Sequence, residues 1–156
     1  MRTGFSRVVS GVLAAVAVLC VSPRLMAAGQ DETAVRAVLM AQFDKPEARL
    51  QVQPVVVVGQ TAIASWVQQE RGGRALLIRK QGQWHIAACG GDGFKDARAL
   101  QDAGVSVQDA RALVQALNDE EARLPVEQRA KFSTFQGVLP MDATGAHPPH
   151  GAHLHH

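Results

Sequence analysis

Five of the six histidines in this 156-residue chain fall in its last ten positions, His147, His150, His153, His155 and His156. A neutral imidazole offers a free ring nitrogen, and with a reference pKa near 6.5 that form dominates at neutral pH. Several imidazoles spaced one to three residues apart can therefore gather round one transition-metal ion. Affinity should follow the Irving–Williams order, with Cu²⁺ ahead of Ni²⁺ and Zn²⁺. Ordering such a segment costs about 1–2 kcal/mol for each residue fixed, so the site is adaptable and only modestly selective. The competing reading is a solubilising tail, although the His positions are interrupted by Pro, Gly, Ala and Leu rather than run together.

Cys89 and Met141 add softer donors, since thiolate and thioether favour Cu(I). A free cysteine is also among the most buried residue types, so Cys89 reads equally as a small core residue at a strand end. His85 and Cys89 lie four residues apart on one predicted strand. That spacing places both on one face but about 13 Å apart, too far for a nucleophile and its base unless a bulge intervenes. Trp84, Ile86 and Ala88 then form the opposite, core-facing side. The run Cys89-Gly90-Gly91-Asp92-Gly93 lacks the Gly-Lys-Ser/Thr ending of a phosphate loop, which argues against a nucleotide site. Arg71-Gly72-Gly73-Arg74 occurs once, between strands, and reads as a hairpin turn rather than an RNA-binding repeat.

The elements that would hold these residues follow from periodicity. Val35, Val38, Leu39 and Phe43 have helical spacing over residues 31–44, with Pro46 ending the helix. Strand-like runs follow at 50–58, 61–68, 75–79 and 83–89. They are separated by turns at Gly59-Gln60, Arg71-Gly72-Gly73 and Gln81-Gly82, the pattern of a four-stranded antiparallel meander. Asp92 is positioned to cap a helix from Phe94 to about Ala103, closed by Gly104. Ser106 with Asp109 resembles a capping box opening a helix that runs to about Leu124. Its apolar side is Val107, Ala110, Leu113, Val114 and Leu117. Pro125 suits the first turn of a third helix over 126–135. The expected fold class is α+β: an N-terminal helix, the meander, then two or three helices against one face, and a disordered His-rich tail over residues 140–156. A helix followed by a meander is loosely similar to cystatin-like and nuclear-transport-factor-like folds, an analogy that carries no function by itself.

Residues 1–28 read as a secretory signal, with Arg2 and Arg7 before an apolar run over 8–21 and Met26-Ala27-Ala28 as small residues for cleavage. The run is shorter than the roughly 20 residues a membrane-spanning helix needs. Leu19 and Ala17 are poor neighbours for lipid attachment at Cys20. The whole chain carries 16 Lys and Arg against 14 Asp and Glu. Cleavage removes Arg2, Arg7 and Arg24, leaving 13 bases against 14 acids, a net charge of −1. Such a chain has no electrostatic footprint for nucleic acid and no pull towards a membrane surface. Cys20 leaves as well, so Cys89 stands alone in an oxidising compartment, without an intramolecular disulfide partner. The domain is expected over residues 29–139.

The order of features resembles a family of small bacterial periplasmic proteins, the copper uptake system-associated proteins. The likeness rests on Phe43-Asp44-Lys45-Pro46, on Glu70-Arg71-Gly72-Gly73-Arg74-Ala75-Leu76-Leu77, and on Cys89 followed by Gly91-Asp92-Gly93-Phe94-Lys95. Leu124-Pro125, the stretch from Phe132 to Gly137, and Met141-Asp142 before a His-rich end complete it. The resemblance implies a periplasmic, non-enzymatic protein associated with copper uptake or handling, with copper-handling proteins of the periplasm or membrane as partners. It assigns no ligand inside the folded domain. Two other classes stay open at this point: a small-ligand binder or enzyme with a pocket near Cys89 and Asp92, and a protein-interaction module whose tail is incidental.

Overall fold

In the computed structural model, which describes residues 23–141, an antiparallel five-stranded sheet in the order β1-β2-β3-β4-β5 is clamped between helices on both faces. The strands are β1 (Leu50–Val58), β2 (Thr61–Gln68), β3 (Arg71–Lys80), β4 (Gln83–Gly90) and β5 (Val138–Pro140). The helices are α1 (Pro23–Phe43), α2 (Ala97–Asp102), α3 (Val107–Ala122) and α4 (Val126–Phe132). The α+β class and the leading helix are as expected.

Both faces of the sheet are apolar, and each has its own core. Val35 and Leu39 of α1 lie against Leu50, Val52, Val55, Ala62, Ala64, Ala75, Leu77, Trp84, Ile86 and Cys89. The other face, with Val56, Ile63, Leu76 and Ala88, packs against Leu100, Ala110, Leu113 and Leu117 of α2 and α3. α2 and α3 lie on one face, as expected, and α1, which the sequence leaves unplaced, covers the other. The meander's near-continuous apolar runs are the physical reason, because a strand buried on two sides loses its polar alternation.

The loops correct several boundaries. The β2–β3 turn lies at Gln69 and Glu70, not at Gly72-Gly73, and Gln69 takes the left-handed φ of 57°. Gly72 and Gly73 sit inside β3. A Cβ on Gly72 would come within 2.6 Å of the Trp66 carbonyl oxygen, and one on Gly73 within 2.8 Å of that of Gly90. Their role is close approach, not turning. Asp92 opens a single 3-10 turn (Asp92–Lys95) rather than a helix, and the cap of α2 is Asp96, whose carboxylate accepts from the Arg98 N–H at 2.8 Å. Gly104 ends α2 with φ +92°, as expected, and the Ser106 hydroxyl accepts from the Asp109 N–H at the start of α3.

A fifth strand was not foreseen. After α4 the chain passes over the glycine pair at the start of β3 and returns along β4, pairing Val138 with Gly90, Leu139 with Cys89 and Pro140 with Ala88. The Met141 N–H continues the ladder to the Ala87 carbonyl at 2.9 Å. Residues 140 and 141, assigned to the tail from sequence, are therefore tied to the sheet. Of the signal expected over residues 1–28, the first 22 lie outside the described residues, as do all five tail histidines, while residues 23–28 form the start of α1, which begins eight residues before the helix expected over 31–44.

Candidate functional site

The β3–β4 register slips between Leu76 and Leu77, which pair with Ala88 and Ile86, so Ala87 is an extra residue on β4. A bulge of this kind reverses which side chains face which side of the sheet. Trp84, Ile86 and Cys89 consequently share the α1 face, while Ala88 joins the α3 face. His85 pairs with Ile78 and stays half-buried on the opposite side from Trp84. The predicted shared face for His85 and Cys89 is thus overturned, as is the grouping of Ala88 with Trp84 and Ile86. The bulge does not unite His85 with Cys89 as a dyad; it sends them to opposite faces.

Cys89 borders a cavity of about 150 Å³ together with Phe43, Leu50, Trp66, Gln68, Phe135, Leu139 and Met141. Trp66 and Phe135 meet edge to face at 6.0 Å between centroids. Gln68 directs its side-chain N–H groups to the Phe43 and Ala48 carbonyls at 2.8 and 2.7 Å. Burial pushes the Cys89 thiol up to about 11, so it is protonated at neutral pH. Apart from the Gln68 amide the walls are carbon and sulfur, and the two sulfur-bearing residues named from sequence are brought to one place. Asp92 lies outside this cavity, so the pocket expected near both Cys89 and Asp92 does not form around the pair.

Asp92 belongs to a second constellation, on the α3 face. Arg74 of β3 is almost wholly buried, and its guanidinium grips Glu121 of α3 through Nε to Oε1 and Nη2 to Oε2, both at 2.8 Å. The Ser65 hydroxyl donates to the same Glu121 oxygen at 2.8 Å, and Lys95 reaches the other at 3.2 Å. Arg74 Nη1 donates to Asp92 at 3.1 Å, and the Ser133 hydroxyl donates to the same oxygen at 2.8 Å. The Phe132 ring lies 5.5 Å from the guanidinium carbon. Burial alone would raise the Glu121 carboxyl, but the Arg74 hydrogen bonds and charge, with Ser65 and Lys95, hold it below the ordinary carboxylate value. Asp92 is lowered too, chiefly by the Ser133 hydroxyl and then by Arg74 and Lys95.

Sequence reasoning missed this network, although two signals were there. Glu121 continues the stripe Ala110, Leu113, Leu117 by one more turn of α3, and Arg74 lies two residues before Leu76 on the same face of β3. A charged residue in an apolar stripe asks for a buried partner of opposite sign. Two positive and two negative groups meet here with polar atoms satisfied, which makes the cluster a lock between β3, α3, the 3-10 turn and α4. The glycine-rich run beside it serves the same closure. A Cβ on Gly91 would stand 2.2 Å from the Phe135 carbonyl oxygen, so the turn is shaped for the returning chain rather than for a phosphate.

Among the described residues no group of three or more His, Cys, Asp or Glu side chains converges as a metal-holding cluster. No helix among them is long and apolar enough to cross a membrane. Comparison with protein-family models, with curated proteins and with solved structures finds no match to this chain.

Proposed function

We propose that the chain is an exported, non-enzymatic copper-binding protein that captures the ion with His147, His150, His153, His155 and His156, and that it works alongside copper-handling proteins of the periplasm or its membrane. The observation that carries this reading is the anchoring of the tail's root. β5 and the Met141 N–H bond fix the chain to β4, and the five histidines follow within the next 15 positions. A donor-rich segment leaving a rigid sheet is suited to collecting an ion and presenting it to a partner. The likeness to copper uptake system-associated proteins points the same way. Export is part of the same proposal; Ala27 to Gln30 are exposed, and the Asp31–Arg79 ion pair lies beyond the expected cleavage point. Removal of the first 28 residues leaves that contact in place.

Titration of Cu²⁺, Ni²⁺ and Zn²⁺ into the protein, and into a chain ending at Met141, tests the assignment. Cu²⁺ should bind most tightly, with a Kd below about 10 µM, and should lose at least about tenfold in affinity when the tail is removed. Unchanged Cu²⁺ affinity in the shortened chain would remove the histidines from the mechanism.

A further inference from the structure

The long outer edge of the sheet is β1, and half of it is closed by the protein's own side chains. The turn at Gly59-Gln60 joins Val58 to Thr61, so Val58 and Val56 bond to β2 while the N–H and C=O groups of Val57 and Val55 point away from the sheet. Past the irregularity at Gln53-Pro54 the same outward direction falls on Val52 and Leu50. There the groups are taken. Arg36 Nε donates to the Val52 carbonyl oxygen at 3.0 Å, and the Leu50 N–H donates to Asp44 Oδ1 at 2.7 Å. Pro54 has no N–H to offer. Among the described residues no side chain takes the outward groups of Val55 and Val57, which form the floor of a cleft of about 590 Å³ between α1 and α3. An unpaired stretch of edge is a template for another strand.

We propose that this stretch of β1 receives an extended, basic segment of a partner protein as an added strand, with Val55 and Val57 supplying two donors and two acceptors. Partner side chains opposite Val55 and Val57 face α1, where Glu32 and Arg36 stand. The one between them, opposite Val56, faces Asp119, Glu120 and Arg123. Arg123 is paired with Glu120 and Arg36 is held to the Val52 carbonyl, whereas Glu32 and Asp119 are in no ion pair among the described residues. The unmatched charge of the cleft is therefore negative, which selects Lys or Arg in the incoming strand. A second copy of this chain does not fit the edge. α1 and α3 each pack over β1 more than over any other strand. Paired strands stand roughly 4.7–4.9 Å apart, whereas packed helices need roughly 8–10 Å between axes. Joining two copies through β1 would drive α1 against α1 and α3 against α3, but a lone strand brings no helices with it. The surface lies on the opposite edge from β5 and rests on no part of the copper reading.

The test is selection of a random octapeptide display library on the full chain, followed by binding of the selected peptides in solution. Selected sequences should be poor in proline, should alternate Lys or Arg with β-branched residues, and should bind with a Kd of about 10–100 µM. Bound peptide should slow hydrogen exchange at the Val55 and Val57 amides. Val57→Pro removes one outward donor at a position where an edge strand accepts proline, and should weaken binding at least about tenfold while circular dichroism stays unchanged. Glu32→Lys combined with Asp119→Lys should weaken it about tenfold at low salt and less at high salt. A library that yields no peptide able to distinguish the parent from Val57→Pro, or peptides that leave the Val55 and Val57 amides unprotected, overturns the site. A concentration-dependent dimer abolished by Val57→Pro also overturns it, because the occupant is then a second copy. Amide protection is read on the parent and decides the matter even where a variant fails to fold. Metal titration of the tail reports separately, so either reading can fail alone.

Discussion

Arg74 is the largest side chain fully buried in the domain, and it is held there by Glu121 rather than by solvent. The pair could in principle be replaced by carbon of similar volume at little cost, but removing one member strands a buried charge. Glu121→Ala should therefore cost about 3–5 kcal/mol, read by denaturant unfolding, while Arg74→Met combined with Glu121→Leu should cost less than the two single changes summed. The pH dependence has a definite sign. Because the folded Glu121 carboxyl is held below its ordinary value of about 4.5, its contribution is complete above that pH and is lost as pH falls below it towards the folded value. The melting temperature should drop as pH is lowered through that window, and Glu121→Gln should flatten that part of the profile. A profile of equal slope in Glu121→Gln would mean that the acid response arises elsewhere.

At the level of elements, legibility tracked how local the cause is. Helices α3 and α4 and the C-terminal end of α2 follow from caps and periodicity that act within a few residues, and they lie close to where the sequence puts them. The bulge at Ala87, the strand β5 and the buried Arg74–Glu121 pair do not, because each is imposed by a distant part of the chain. β5 has three residues, too few for a period-2 signal, and exists because α4 returns the chain to the edge of β4. The consequence for the site was large. Residue types had already marked out Cys89 and Met141, but only the bulge and β5 together put both on one cavity wall. The same reasoning fixes where the fold ends. A chain stopped at Met141 should unfold within about 0.5 kcal/mol of the parent, whereas one stopped at Gly137 uncovers the β4 edge and removes Leu139 and Met141 from the cavity. The latter should melt lower and expose Cys89 to a thiol reagent at a visibly greater rate. Equal thiol reactivity in the two chains would show that β5 does not guard the cavity.

For the molecule as a whole, the same question arises at the other terminus, where α1 packs on the sheet face that Phe135 and Met141 also help to cover. Its core contacts are Val35 and Leu39, with Val38, Met40 and Phe43 packed at the margin. Asp31 adds an ion pair with Arg79, whose guanidinium also lies 4.5 Å over the Trp84 ring. Ala27 to Gln30 are exposed and add helix without burying apolar surface. A chain beginning at Gly29, as cleavage after Ala28 would leave it, keeps every one of these contacts. It should therefore melt within a degree or two of a chain beginning at Pro23. Starting instead at Thr33 deletes Asp31 and leaves Arg79 stacked on Trp84 without its carboxylate. Both partners of that pair are partly solvated, so the loss should be only about 0.5–1 kcal/mol, or a few degrees in Tm. Calorimetry of the three chains separates the cases. If the chain from Gly29 unfolds well below the chain from Pro23, residues before position 29 belong to the folded unit, and cleavage there loses its structural support.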